Sequence, residues 1–402
     1  MPDPFASPDS ALRRSVWRGY GIIFNQQTLS RWFKFFWLLS ISLTVLDLGR
    51  NFGFGNFNPI ERSVFLLAAV AFTVARPLRQ SAMLGVALIL ISTFVSALYT
   101  DFPGFNFERY SLATVALLTF LLFVVVVPRP SDARFILGTV QLLPLALVGL
   151  GVLMYLAFGR PLMQADHTGA MRLGGAVMPA YLALACYAAC VASCGAYAKY
   201  GRPVDAALLL GSVVVCTMSG SRTASVCCAV TALIAFLASP RSHTTKLLGT
   251  AYISIGATAL LFTFGSQLLA RITSGSTSGR DRIWGALLQV AEQYPVLGIG
   301  FGHHGLVVPA YITKYTGTAA SHNEFIRLYT ELGAVGVVIF SVGFLLIWFG
   351  GMSKRIDHFL LRLGLFIGFL GISSTDNTLF ATYALLALVA GILVVDRLDE
   401  AK

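Results

Sequence analysis

Apolar stretches long enough to cross a bilayer recur almost from end to end of this chain, and they leave few folds open. They fall at 32–48, 60–75, 81–99, 110–127, 135–158, 174–198, 204–218, 223–239, 247–264, 323–349, 359–373 and 378–395. A hydrocarbon core ~30 Å thick takes ~20 helical residues, because each adds about 1.5 Å of rise. Hydrophobic residues make up 56% of the sequence and charged residues only 12%, where a soluble domain carries about 25% charged residues. No water-soluble core could hide so much apolar surface. The pattern predicts an all-α integral membrane protein of about 12 transmembrane helices. The short window at 204–218 is expected to tilt or to end as a re-entrant piece.

Lys and Arg give the orientation. With the N-terminus in the cytoplasm, the inner connections are Arg76–Gln80, Pro128–Arg134, Lys199–Arg202, Pro240–Lys246 and Met352–Arg362, and each carries at least two Lys or Arg. That alternation is the positive-inside pattern, and it puts both termini inside. The formal charge of +11 is then mostly a record of orientation. It is not the basic face of a nucleic-acid binder, because the basic residues are interleaved with apolar runs.

The expected organisation is a cytoplasmic or interfacial arm at 1–31, spans one to nine at 32–264, a periplasmic loop at 265–321, spans ten to twelve at 322–395 and a cytoplasmic tail at 396–402. The arm carries Arg13, Arg14 and Arg18 without a small-residue cleavage site, so it does not read as a removable signal peptide. Cys186, Cys190 and Cys194 recur every four residues, and Cys216, Cys227 and Cys228 also lie in apolar runs. A helix stripe of small side chains packing on a neighbour explains them better than disulfides or a metal site.

The loop at 265–321 is long for a compact protein, and such loops are usually functional. Within it Ile283, Leu287 and Val290 fall at helical spacing before Pro295. This predicts a short amphipathic helix over 282–294, lying near the outer membrane face. The stretch from Gly298 to Gly302 reads as a turn, since no strand precedes it to make a dinucleotide fold.

On the outer side several polar residues stand at span ends. They are Arg172 before span six, Arg222 between spans seven and eight, Arg280 and Arg282 in the loop, and His322 at the start of span ten, followed by Asn323 and Arg327. Arg222, Arg280 and His322 are the candidate catalytic residues, and Arg172, Arg282, Asn323 and Arg327 the candidate substrate-binding ones. A guanidinium is a permanently charged fork of donors suited to phosphate oxygens. Several of them at a membrane surface would hold a lipid-linked diphosphate and stabilise it as it leaves. A histidine could take the proton of an attacking sugar hydroxyl, or orient it. No metal or cofactor is expected, since no Asp-x-Asp motif or carboxylate cluster is available.

Each residue also has a duller reading. A lone Arg at a span end commonly snorkels, and one of Arg280 and Arg282 could be the solvated edge of the amphipathic helix. Ser321 would serve as the N-cap of span ten. Arg327 and Glu331 read as an ordinary i, i+4 pair, though placed where charge is costly. His303-His304 is a weak metal hint, because adjacent loop histidines rarely both ligate. His167, His243 and His358 read as loop residues.

The motifs S-G-S-R-T-A, S-G-R-x-R-I-W, P-V-L-G-I-G-F-G and S-H-N-E-F-x-R-L-Y-x-E-L-G, in this order and on one side of the membrane, resemble the O-antigen ligase and polymerase (WaaL/Wzy) superfamily. The resemblance runs from about Arg172 to Gly336. It implies an inner-membrane, metal-independent, inverting glycosyltransferase with its active site facing the periplasm. The implied donor is an undecaprenyl-diphosphate-linked glycan. The acceptor would be a lipid-linked or lipid A–core glycan, with membrane lipid around the protein and, for a polymerase, a chain-length regulator as partner. Arg222 and Arg280 resemble the loop arginines proposed to bind diphosphate. His322 followed by Gly333 matches the ligases' histidine-to-glycine motif, and Arg172 resembles an arginine before a central span. The ligase pattern of Arg, three residues, then Leu is absent at Arg280 and at Arg282, so both stay candidates.

The S-G-R-x-x-I-W run leans toward exopolysaccharide polymerases, and a ligase is the near alternative. A lipid-linked oligosaccharide flippase is the rival of another class. Transporters usually show two similar halves with charges near mid-membrane, whereas here the long loop follows span nine and the charges gather at one face. A purely structural scaffold would leave the outer arginines unexplained.

Overall fold

The computed structural model describes residues 26–54, 58–74, 76–165, 171–238, 279–350, 356–379 and 381–398, with five single positions between 242 and 250. Most of the window at 247–264, most of the N-terminal arm, the first part of the long loop, His167 and His243 lie outside the described residues. Eleven of the twelve apolar windows coincide with a helix: α1 (Gln26–Leu46), α3 (Asn58–Val74), α4 (Gln80–Tyr99), α5 (Phe107–Val124), α6 (Pro130–Phe158), α7 (Pro179–Tyr200), α8 (Pro203–Met218), α9 (Arg222–Ala238), α13 (Glu324–Phe349), α14 (Ile356–Ser373) and α15 (Thr382–Leu398). Six of them (α1, α4, α5, α6, α7 and α13) are long and apolar enough to cross a membrane by length and composition. Short elements fill the connections: α2 (Leu48–Phe52), the hairpin of β1 (Met163–Ala165) and β2 (Met171–Leu173), α10 (Arg280–Gln293), α11 (His304–Val307) and α12 (Ala310–Thr316).

Helix starts follow the prolines. Pro130, Pro179 and Pro203 each sit at the first turn of a helix, where the missing N–H would be unpaired anyway. Pro179 sets the start of α7 five residues later than the apolar window did.

α7 is the most buried of the six long apolar helices and packs against α6, α8, α9 and α15. Its side chains explain why four neighbours can approach. Ala183, Ala185, Cys186, Ala189, Cys190, Ser193 and Cys194 are all buried and small, and small residues let helix backbones come close where lipid offers no hydrophobic drive. The cysteine stripe is packing, as its spacing implied. Cys190 Sγ contacts the Cys228 carbonyl at 3.4 Å and Cys194 Sγ the Thr231 carbonyl at 3.6 Å, and the thiols are free. α4 packs on α13 by the same rule, with Gly85 against the Gly343 carbonyl. Leu84, Ile91 and Leu98, on another face of α4, stay exposed, as a lipid-facing stripe does.

Contacts between connecting segments fall into two sets, one at each end of the bundle. At one end Arg76 is buried, ion-paired with Asp132 and stacked over Phe72 at 4.0 Å, while Arg79 donates to the Ile347 carbonyl. The other end joins α2 to the hairpin (Arg50 Nη2 to Gln164 Oε1, 3.0 Å), Thr100 to Gly298 (3.0 Å), Asn106 to His303 (2.8 Å), Arg172 to Ser219 (2.8 Å) and Arg280 to Thr375 (3.0 Å). This second end holds the candidate site.

Candidate functional site

The long loop is built into the bundle. The expected amphipathic helix exists as α10, but its apolar stripe turns toward protein. Ile283 and Leu287 are fully buried and cluster with Val308 and Ile312, and Thr330 Oγ1 of α13 reaches the Leu287 carbonyl at 3.3 Å. The i, i+4 spacing that would suit a membrane surface serves a small core between loop and bundle.

The glycine run after α10 is more than a turn. Residues 295–300 lie along a break in α13, where Ile299 N donates to the Thr330 carbonyl (3.0 Å), Gly300 N to Glu331 (3.0 Å) and Ala334 N to the Pro295 carbonyl (2.8 Å). The break is at Gly333, with φ 63° and ψ −176°. A Cβ at Gly333 would lie 2.3 Å from the Val296 carbonyl, and one at Gly298 2.4 Å from the Glu331 backbone. The two glycines therefore face each other across the contact. His303, buried beside this run, takes no part in a metal site. Its Nε2 accepts from Asn106 N at 2.8 Å, its Nδ1 faces the Gly300 and Phe301 carbonyls, and its ring stacks on Phe105. Among the described residues no three His, Cys, Asp or Glu side chains converge as a metal site.

Docking the loop carries α10 to the connection between α14 and α15, residues 374–381. Arg280 Nη1 donates to the Thr375 carbonyl at 3.0 Å. Burial pushes the Arg280 guanidinium below its ordinary value, and the nearby Asp376 carboxylate works against that shift. This is a desolvated cation with an anion close by. Arg282, two residues on, is exposed and lies over the Tyr315 ring at 4.4 Å. Of the two loop arginines, Arg280 is the one turned to this connection.

His322 meets the same connection from α13. Its Nδ1 is 3.6 Å from Asp376 Oδ1. The backbone around it is tightly held: Trp284 Nε1 donates to the Ser321 carbonyl at 2.7 Å, and Ser321 Oγ bonds Asn377 Oδ1. His322 itself has φ 47°, a left-handed conformation that costs a non-glycine residue of order 1 kcal/mol or more and tends to occur at functional sites. The left-handed turn shifts the helix cap by two residues. Asn323, not Ser321, is the N-cap, accepting from Phe325 N (3.0 Å) and Ile326 N (3.1 Å). Replacing Asn323 by alanine is expected to cost about 1 kcal/mol, measurable as a lower thermal midpoint in detergent.

Helix register sets the level of Arg222 along the bundle. α9 runs along α14 with Ile234 at Gly364, Thr231 at Gly368 and Cys227 at Gly371. Continuing that register brings the first turn of α9, where Arg222 stands half-buried, to the level of residues 374–375. Arg172 joins from the hairpin, where it pairs with Gln164, and its Nε donates to the Ser219 carbonyl at 2.8 Å, just before Arg222. Arg327 differs from the others. It is fully buried beneath the site, ion-paired with Glu324 and with Glu331 (3.4 Å). The i, i+4 pair read from the sequence is half of a larger buried network, and the arginine has no exposed surface for a substrate.

Asp376 is not among the candidates read from the sequence, because a lone aspartate in the short stretch between two apolar windows forms no motif. Its only sequence signal is being an acid at the outer end of a span.

Fold and site together define a multi-pass helical membrane protein with its arginines, histidine and aspartate gathered at one end of the bundle. Residues 206–341, from α8 into α13, match the O-antigen ligase family. The match supports placing the chain in the O-antigen ligase and polymerase superfamily. The matched third of the chain holds Arg222, Arg280 and His322, and leaves out Arg172 and Asp376. No match was found among curated proteins.

Proposed function

We propose that the protein is an inner-membrane glycosyltransferase. It transfers an undecaprenyl-diphosphate-linked glycan en bloc to a sugar hydroxyl at the periplasmic face, as a repeat-unit polymerase. The observation that carries this reading is the meeting of Arg280 and His322, more than forty residues apart in sequence, on the connection that bears Asp376. The positive-inside alternation supports a periplasmic position for this end of the bundle.

In this reading Arg280 and Arg222 hold the diphosphate, with Arg172 and Arg282 assisting. The acceptor hydroxyl oxygen attacks the anomeric carbon as the bond from that carbon to the diphosphate oxygen breaks. The charge that develops on the leaving diphosphate is met by guanidinium groups already in place. His322 turns Nδ1 to Asp376, so Nε2 is the nitrogen that takes the hydroxyl proton, and the Asp376 carboxylate stabilises the imidazolium that forms. A single displacement inverts the anomeric centre.

The ligase reading uses the same donor and chemistry with a lipid A–core sugar as acceptor. The family description and the spacing from His322 to Gly333 favour it. A deletion strain separates the two. Loss of a polymerase leaves single repeats on the carrier lipid, whereas loss of a ligase leaves long glycan there and none on lipid A. A normal polysaccharide pattern on both would overturn both readings.

A further inference from the structure

Beneath the site three buried charges, Glu331, Arg327 and Glu324, form a chain that starts at His304 and that the transfer chemistry does not use. His304 donates from its backbone N (3.1 Å) to Glu331 Oε1, and its Nδ1 lies 2.6 Å from the same oxygen. Glu331 Oε2 is 3.4 Å from Arg327 Nη1, and Arg327 Nη2 bonds Glu324 Oε1. Glu324 Oε2 then accepts from the backbone N–H of Leu379 at 3.3 Å. Glu331 and Arg327 are fully buried and Glu324 is 3% exposed. The relay joins the docked loop, the first turns of α13 and the connection that carries Asp376.

Charges in such a place are expensive, and replacing a buried pair with apolar residues is often neutral for stability. Stability alone is therefore a weak reason for three of them. Their geometry offers a better one. Glu324 stands two residues after His322 and grips the connection three residues after Asp376. A carboxylate has two acceptor oxygens and can bridge two donors, here Arg327 and Leu379 N–H. A glutamine keeps one acceptor oxygen and turns an NH2 donor toward the other partner, so it cannot offer a separate oxygen to each.

We infer that Glu324, held in place by Arg327 and through it by Glu331 and His304, is a positioning residue that fixes the Asp376 connection against His322. The inference rests on the glycan-transfer reading of the site. It makes Arg327 a support for the site from below and not a substrate ligand.

The chemistry of the bridge supplies its own test. In Glu324→Gln the amide oxygen is drawn to the Arg327 cation and Leu379 N–H loses its acceptor. In the double variant Glu324→Gln/Arg327→Met the cation is gone, and the amide oxygen returns to Leu379 N–H. His322 is read directly, without turnover, by its rate of modification with diethyl pyrocarbonate, followed by peptide mass spectrometry on monodisperse full-length protein in vesicles. The single variant is expected to expose His322 to modification several-fold faster. With a lipid-diphosphate-linked repeat as substrate, its kcat should fall about 10²-fold, the loss expected when a reacting group shifts by about 1 Å. Its KM and its binding of one donor per protein should be retained. The double variant should regain wild-type protection of His322 and most of the turnover, which a purely structural role would not predict.

Unchanged modification and kcat in the single variant would overturn the inference. So would a double variant more exposed than the single one. If the single variant does not accumulate, the double variant decides: wild-type protection upholds the bridge, and an exposed His322 removes it. Wild-type protein that transfers nothing would sink the proposed function, and the modification rates would still decide whether Glu324 fixes the connection.

Discussion

Arg280→Ala is expected to lower glycan transfer by about 10²–10³-fold, the loss seen when one donor aimed at developing charge is removed. Arg282→Ala should cost less than about tenfold. The two residues are one apart from being neighbours, and the contrast between them comes from where α10 faces. Arg280 is half-buried against the Thr375 carbonyl and near Asp376, whereas Arg282 lies in solvent over Tyr315. An exposed cation over an aromatic ring contributes about 0.5–1 kcal/mol, and its charge is screened. A desolvated one acts through a lower effective dielectric. Initial rates in vesicles with equal amounts of each variant measure the difference. Equal losses at the two positions would mean that the orientation of α10 does not choose between them.

Gly333→Ala should largely abolish accumulation of folded protein. The residue holds a backbone conformation that is nearly exclusive to glycine and costs a side-chain-bearing residue about 1–3 kcal/mol. The added Cβ would also lie 2.3 Å from the Val296 carbonyl, and backbone is the neighbour least able to move. Overpacking adds about 1–3 kcal/mol or more. Together these approach a total stability of about 5–15 kcal/mol. Gly138→Ala is the control, since a Cβ there meets nothing within 4 Å and the site is helical. It should be neutral or slightly stabilising. Protein yield and thermal midpoint in detergent measure both, and a normally stable Gly333→Ala would contradict the docked-loop geometry.

Much of the scaffold was legible because hydropathy and helix stops act locally. Apolar windows and the cysteine stripe each depend on near neighbours in the chain, whereas the start of α7 is set by Pro179 and not by the window edge at 174. Facing was less legible. The stripe of Ile283 and Leu287 has the same spacing whether it meets lipid or Val308 and Ile312. The run Gly298–Gly302 reads as a turn until Gly333, far along the sequence, is seen to need it. The arginines and His322 could be picked out because charge at span ends is rare. Asp376 could not, because its meaning comes from the two residues that converge on it. The same holds for Glu324, which reaches Leu379, and for His304, which reaches Glu331, each on another segment.

The central claim is that this cluster transfers a lipid-linked glycan. It is tested most directly by purified protein in vesicles given an undecaprenyl-diphosphate-linked repeat as the only glycan. The account predicts new glycosidic bonds between repeats with inverted anomeric configuration, and their loss in both Arg280→Ala and Arg222→Ala. Repeats moved across the membrane without any new glycosidic bond, or full transfer by both arginine variants, would contradict it.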